Sequence, residues 1–247
     1  MKTILAAAQT IPVCGNIEEN IKHHKQLIEL AAKNEVQLIV FPELSLTGYE
    51  PDLAEKLAFT PGDSRIAPLQ DLADKFQIII IAGAPVRCET GLHIASFIIK
   101  PHQKVQLYTK QYLHSGEDEY FSPCFNHNPV ISIDGENISS AICADIANPK
   151  HPEAASLIGS SIYMPGVLIT KKGYKADAEL LSNYAKKFSM TVIMANFSGE
   201  SGGYESAGKS AIWSKKGDLI AQFDESNEGL VIATKEDEVW TGKTVKL

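Results

Sequence analysis

The chain has few cysteines, and their spacing gives them no structural pattern. Its 247 residues include only four, with no C-x-x-C pair among Cys14, Cys88, Cys124 and Cys143. A disulfide framework or a zinc ribbon needs paired or regularly spaced cysteines, so both are disfavoured. Reduced thiols in a cytoplasmic protein are therefore expected, and one of them is available for chemistry.

Long apolar runs and excess positive charge are also missing. The opening residues 1–13 contain one Lys, and Gln9 and Thr10 interrupt their apolar run, which predicts a first strand rather than a leader peptide. No run approaches the roughly 18 apolar residues of a membrane span. The formal net charge of −7 argues against nucleic acid or anionic membranes as partners.

No linker, internal repeat or low-complexity tract divides the chain, so a single domain over residues 1–247 is expected. Apolar runs predict strands at 3–9, 37–42, 77–83, 94–99, 104–109, 129–133, 138–144, 161–165, 191–196, 210–214, 218–223 and 229–234. Helical patterns cover 17–34, 63–75, 152–159 and 174–189. Several strands are apolar on both faces, and so many strands would overfill one sheet. Two stacked sheets with helices outside, a layered α/β sandwich, fit better.

Three reactive side chains lie where apolar, strand-like runs end: Glu43, Lys110 and Cys143. Taken singly, each has an ordinary structural explanation, as a solvated loop acid, a solvated lysine and a small core residue. Together they supply a base for a thiol and a cation for the oxyanion that a thiol attack creates. The set therefore indicates acyl transfer through a thiol.

The neighbours of these residues carry a family resemblance. The patterns are F-P-E-L-x-x-x-G-Y from Phe41, Y-x-K-x-x-L from Tyr108, E-x-x-x-F-x-P from Glu117 and I-C-x-D from Ile142. In this order they resemble the nitrilase superfamily of carbon–nitrogen hydrolases, from the first strand to about residue 234. The resemblance implies a four-layer α-β-β-α sandwich of two stacked mixed sheets and a Glu-Lys-Cys catalytic set.

Carried over by matching position, the resemblance implies a role for each residue. Glu43 is the general base, Cys143 the nucleophile, Lys110 the cation at the oxyanion and Glu117 a second acid, with the Ala144 backbone N–H as the other oxyanion donor. We expect Lys110 to lower the pKa of the Cys143 thiol and burial to raise that of Glu43.

The expected reaction is hydrolysis of an amide, or of a carbamoyl group, in a small molecule, through a Cys thioester and with release of ammonia or an amine. No metal or cofactor is expected, since adjacent His23 and His24 face different sides of a helix. Two alternatives remain: a nitrilase acting on C≡N and a non-catalytic binding member of the fold. The family resemblance implies a homodimer or larger homo-oligomer.

The substrate pocket is expected from the loops 44–52, 112–124, 145–152, 165–174 and 197–206. Tyr49, Tyr120 and Tyr174 are candidate walls.

Two further motifs match in letters but not in context. Residues 203–210 fit the P-loop pattern, yet the residues that follow predict a strand rather than the helix a phosphate site needs. Residues 199–203 fit the nucleophile elbow of serine hydrolases, yet glycines follow Ser201 and predict a loop. A P-loop NTPase and a serine hydrolase are thus disfavoured.

Overall fold

The structure, a computed structural model, describes residues 2–247. Its helices are α1 (Ile17–Lys33), α2 (Ala54–Leu57), α3 (Ala67–Phe76), α4 (Lys150–Leu157) and α5 (Tyr174–Phe188). The Asn16 side chain accepts a hydrogen bond from Glu19 N–H and caps α1.

One sheet has seven strands in the order β15-β14-β1-β2-β3-β4-β5. They are β1 (Thr3–Gln9), β2 (Leu38–Val40), β3 (Ile79–Cys88), β4 (Gly91–Ile99), β5 (Gln106–Thr109), β14 (Gly229–Glu236) and β15 (Val239–Lys246). Strand β2 runs parallel to both β1 and β3, and the other pairs are antiparallel.

The second sheet has six strands in the order β13-β12-β9-β8-β7-β6. They are β6 (Ile131–Ile133), β7 (Glu136–Ile142), β8 (Ile162–Val167), β9 (Thr191–Asn196), β12 (Ala211–Trp213) and β13 (Leu219–Gln222). Strand β8 is parallel to both β7 and β9. A separate antiparallel hairpin is formed by β10 (Ser198–Ser201) and β11 (Tyr204–Ala207).

Three apolar clusters define the layers. One cluster packs α1 and α3 against the seven-stranded sheet, and it includes Leu27, Leu69 and Ile80. Another packs the two sheets against each other, and a third packs α4 and α5 on the six-stranded sheet. Successive side chains of a strand point to opposite faces, so the strands of a sheet that is covered on both faces have continuous apolar sequences. The expected α-β-β-α arrangement of two mixed sheets is confirmed.

Besides shifted element ends and the short helix α2, which was not predicted, the observed elements differ from the predicted ones in three places. The strand predicted over 138–144 ends at Ile142, and a 3₁₀ helix begins at Cys143. The loop predicted over 197–206 is the β10–β11 hairpin, whose turn residues Gly202 and Gly203 have φ of 56° and 76°. Strand β15 carried no apolar signal, because it is a largely exposed edge strand.

Within residues 2–247 we find no helix with the length and apolarity needed to cross a membrane.

Candidate active site

Glu43 lies in a turn that follows β2 and is held between the two sheets. A β-carbon on Gly83 of β3 would lie 2.4 Å from Leu44 N, and one on Gly166 of β8 would lie 2.4 Å from Phe41 O. Both contacts are far shorter than an ordinary carbon contact, so only glycine fits at either position. Each sheet thus contributes one glycine to hold the backbone around Glu43.

Helix α1 supports the same turn from outside the sheet. The His24 ring stacks on Phe41 at 4.0 Å between centroids, and its Nε2 lies 3.0 Å from Ser45 Oγ. The Gly83 N–H donates to that same Ser45 Oγ at 3.1 Å. Burial of His24 lowers its pKa to about 4, so the neutral ring is the form that packs here.

Lys110 follows β5 and joins two acids in a fully buried cluster. Its Nζ donates to Glu43 Oε1 at 2.6 Å and to Glu117 Oε1 and Oε2 at 2.7 and 2.8 Å. An ammonium group has three N–H donors, and all its contacts here go to carboxylate oxygens. Glu43 Oε2 is buried and has no hydrogen-bond partner among the described residues. That oxygen is thus free to accept a proton.

Glu117 begins a 3₁₀ helix and is fixed by two further donors. The Tyr49 hydroxyl donates to its Oε1 at 2.9 Å, and the His114 backbone N–H donates to its Oε2 at 2.7 Å. Tyr49 is held in turn by the β10–β11 hairpin, since its N–H donates to Ser201 Oγ at 2.8 Å. Two donors besides Lys110 therefore fix the position of the Glu117 side chain.

Cys143 occupies a strained position between β7 and a 3₁₀ helix over Cys143–Ala147. Its φ is 39°, in the left-handed region that non-glycine residues seldom adopt. The Sγ atom lies 3.6 Å from Leu168 O, at the end of β8. Strain of this kind persists only where the surrounding structure imposes it, and it is frequent at functional sites.

The pKa values of the cluster depend on burial and on neighbouring charges. Burial raises the pKa of Glu43 to about 7, with Lys110 opposing and Glu117 reinforcing that shift. Burial disfavours the charged form of Lys110, but the surrounding carboxylates outweigh it, and its pKa is raised. Burial and the Glu43 charge raise the pKa of the Cys143 thiol well above its ordinary value, more than Lys110 lowers it. The expected rise for Glu43 is confirmed, and Lys110 lowers the pKa of the thiol as expected, but burial and the Glu43 charge outweigh that effect.

A pocket of about 320 Å³ opens over these groups. It is lined by Glu43, Tyr49, His114, Glu117, Cys143, Ala144, Ile146, Ala147, Leu168, Ile169, Thr170, Gly173, Asp177 and Tyr204. Of the three tyrosines considered from the sequence, Tyr49 lines the pocket. Tyr120 is exposed and donates to Asp52, and the Tyr174 hydroxyl donates to Lys209 O, so both lie outside the pocket wall.

Three residues that shape the pocket were not singled out individually from the sequence. Tyr204 lies in the hairpin that was expected to be a loop, and Asp177 lies on α5, outside the expected pocket loops. The Asn196 side chain accepts from Ile169 N–H at 2.9 Å and donates to Ile169 O at 3.1 Å, which fixes the pocket-lining segment after β8.

The P-loop-like and elbow-like sequence motifs are each followed or formed by a strand rather than a helix. Strand β12 follows Lys209 and Ser210, so no helix N-terminus faces a phosphate site there. Ser201 ends β10, and its Oγ accepts from Tyr49 N–H.

A buried acid–lysine–acid cluster and a thiol, brought together at the strand ends of two stacked sheets and beside one pocket, are suited to acyl transfer by a cysteine hydrolase. Residues 4–240 match the family model described as carbon-nitrogen hydrolase. The chain belongs to this family, and the sequence-based assignment to the nitrilase superfamily of hydrolases is confirmed.

Individual relatives agree with the family. A protein named nitrilase from Pyrococcus abyssi is 24% identical over 234 residues, covering 93% of this chain and 88% of that protein. A 2-oxoglutaramate amidase from Bacillus subtilis is 27% identical over 236 residues, covering 94% and 90%. A solved structure of a cysteine-to-alanine mutant of the amidase from Nesterenkonia sp. AN1, in complex with butyramide, has a TM-score of 0.87 at 21% identity, covering 96% and 92%.

Proposed function

We propose that the protein hydrolyses the amide, or carbamoyl, C–N bond of a small molecule through a thioester on Cys143. The observation that carries this proposal is the Lys110 ammonium between Glu43 and Glu117, beside a pocket that both acids and Cys143 line. Of the three relatives named above, two are amidases and one is a nitrilase, which supports an amide as the first choice of substrate.

In the first step, the Cys143 sulfur attacks the amide carbonyl while its proton passes to Glu43 Oε2. Because the thiol pKa is raised and that of Glu43 is about 7, transfer without substrate is unfavourable. Proton transfer is therefore coupled to formation of the C–S bond, as in general-base catalysis, and no stable thiolate forms beforehand.

The oxyanion of the tetrahedral intermediate receives the Ala144 backbone N–H and one N–H of Lys110. Lys110 frees this donor by giving up one of its two contacts to Glu117, which keeps the support of Tyr49 and His114. Glu43 then returns the proton to the leaving nitrogen, and ammonia or an amine departs. Glu43 next activates a water molecule, which hydrolyses the thioester to a carboxylic acid and the free thiol.

The test is ammonia release from a panel of short primary amides, carbamoyl compounds and nitriles. Cys143→Ala should abolish turnover, and Glu43→Gln should lower kcat by about 100-fold or more, since general-base catalysis contributes that much. Cys88→Ala, at a half-buried cysteine outside the pocket, is the matched control and should keep full activity. Full activity in Cys143→Ala contradicts the mechanism, and ammonia from nitriles but not amides would make the protein a nitrilase.

Thiol labelling tests whether a substrate amide binds at Cys143, and ammonia release then separates an enzyme from a non-catalytic binding protein. Cys14 is exposed and would react with iodoacetamide, so labelling belongs in a Cys14→Ala background. A substrate amide should then protect Cys143 from the label, and mass spectrometry of the peptide that contains Cys143 measures this protection.

The single domain and the homodimer or larger assembly stay predictions, which limited proteolysis and light scattering would check.

A further inference from the structure

Asp177 is a carboxylate in the pocket wall that the proposed reaction does not use. It lies in the first turn of α5, and no other residue of that helix lines the pocket. Its Oδ2 lies 3.4 Å from the place where a β-carbon on Gly173 would be, and Thr170 Oγ1 lies 3.5 Å from the same place. Gly173 thus leaves room beside the carboxylate, in a wall that all three residues form.

No cation of the protein satisfies this carboxylate. Among residues 2–247, no Lys, Arg or His forms an ion pair with Asp177, and burial alone raises the pKa of its carboxyl group. The nearby Lys171 pairs with Glu205 at 2.5 Å, and Lys209 pairs with Glu225 at 2.8 Å. A half-buried acid without a partner has lost hydration and has gained no compensating charge.

The pocket as a whole favours positive charge. Its described lining contains three acids, Glu43, Glu117 and Asp177, and no Lys or Arg. The Tyr49 and Tyr204 rings meet edge to face at 6.0 Å between centroids, and aromatic faces attract cations. Lys110 lies behind the wall and is engaged by both catalytic carboxylates. An anionic substrate end would therefore find no available cation.

Resting on the proposed amide hydrolysis, we propose that Asp177 selects substrates whose amide-bearing chain also carries a cationic group, a primary ammonium or a guanidinium. The Asp177 carboxylate accepts hydrogen bonds from that cation while the amide carbonyl faces Cys143. The aliphatic chain between the two groups packs on the apolar wall, which includes Ile146, Leu168 and Ile169. Hydrolysis of such a molecule yields ammonia and an amino acid or a guanidino acid.

The experiment compares three nearly isosteric amides that differ in terminal charge: γ-aminobutyramide, pentanamide and succinamate. We expect kcat/KM to decrease in that order, with shorter and longer ω-amino amides included to match the pocket length. In Asp177→Asn, the ratio of kcat/KM for the cationic amide to that for pentanamide should fall about ten- to hundredfold, as for loss of a hydrogen bond to a charged group. Asp177→Lys should raise the ratio of succinamate to pentanamide.

Glu179→Gln is the matched control, because it removes an acid from the exposed side of the same helix, outside the pocket. It should leave the charge preference unchanged. An acid in the first turn also stabilises a helix through its dipole, and loss of that role alone would lower turnover of all three amides together. An unchanged ratio in Asp177→Asn, or no preference for a cation at any chain length, overturns the proposal.

Binding keeps this inference separate from the proposed reaction. Calorimetry on the Cys143→Ala variant should show tighter binding of γ-aminobutyramide than of pentanamide, and Asp177→Asn in that background should remove the difference. If no amide is hydrolysed but this order of binding holds, the reaction is wrong and the role of Asp177 stands. If amides are hydrolysed without regard to charge, the reaction stands and the role of Asp177 is wrong.

Discussion

The Asp145 carboxylate accepts a hydrogen bond from the backbone N–H of Gln111 at 3.0 Å. Gln111 directly follows Lys110, and Asp145 lies two residues after Cys143. The same carboxylate accepts from Tyr112 N–H and Ile142 N–H, both at 2.9 Å. One buried acid thus joins the ends of β5 and β7, which lie in different sheets, and fixes the proposed nucleophile relative to the lysine.

Asp145→Asn is expected to impair both stability and turnover. The new amide NH₂ replaces one of the two acceptor oxygens and is itself a donor. It therefore faces another donor, which is one of Ile142 N–H, the Tyr108 hydroxyl and the N–H groups of Gln111 and Tyr112. A buried donor left without an acceptor costs about 1–3 kcal/mol of unfolding free energy. Chemical denaturation measures this loss, and kcat should fall while KM changes less, because the turn carrying Cys143 is no longer fixed.

Asp71→Asn, at an exposed position on α3, is the control for this substitution. If the Asp145→Asn variant has the same stability and the same kcat as the unsubstituted protein, the connection between the strand ends is unimportant.

Gly166→Ala is expected to displace the Glu43 turn. The new methyl group would lie 2.4 Å from Phe41 O, and the turn must move because a strand in the middle of the second sheet cannot. We expect a loss of kcat together with a lower melting temperature. Gly135→Ala is the control for this substitution, because Gly135 has φ of 84° and no atoms close to the position of the new methyl group. That substitution should therefore cost stability through backbone strain and leave kcat unaffected.

The pH dependence of turnover should follow Glu43. As the proposed general base it must be ionised to act, and with a pKa of about 7 its ionised fraction rises through neutral pH. The rate constant kcat/KM should therefore increase with pH through about 7. Because the Glu117 charge raises the pKa of Glu43, Glu117→Gln should move this limb of the profile to lower pH. Glu119→Gln, on the exposed side of the same 3₁₀ helix, should leave it in place, and an unmoved limb in both variants would exclude Glu43 as the titrating base.

Stability at mildly acidic pH should depend on His24. Its pKa is 6.5 as an ordinary histidine and about 4 in the folded protein, so between these values the unfolded chain binds a proton that the folded protein does not. The unfolding free energy therefore decreases as pH falls from about 6.5 to 4, by up to about 3 kcal/mol. Urea denaturation at several pH values should show a smaller decrease for His24→Asn; an equal decrease would assign the effect to other groups.

The sequence predicted the layers and indicated the candidate reacting groups because both leave local signals. Strands apolar on both faces indicate a doubly covered sheet, and Glu43, Lys110 and Cys143 each follow such a strand closely. Edge strand β15 left no signal, because most of its side chains are in water. The high thiol pKa of Cys143 depends on burial and on Glu43, two properties that exist only after packing. Asp177 escaped notice for the same reason, since one acid on a helix resembles any other until the pocket around it is formed.

The two glycines that enclose the Glu43 turn come from opposite sheets, Gly83 from the first and Gly166 from the second. The position of the proposed base is therefore set by the separation of the two sheets, and larger or smaller side chains between them would change the rate without touching the pocket. Met164 and Leu38 lie in that intersheet layer. Asp177 lies outside this layer, so a change in the spacing of the sheets should alter the rate and leave the proposed preference for a cationic substrate unchanged.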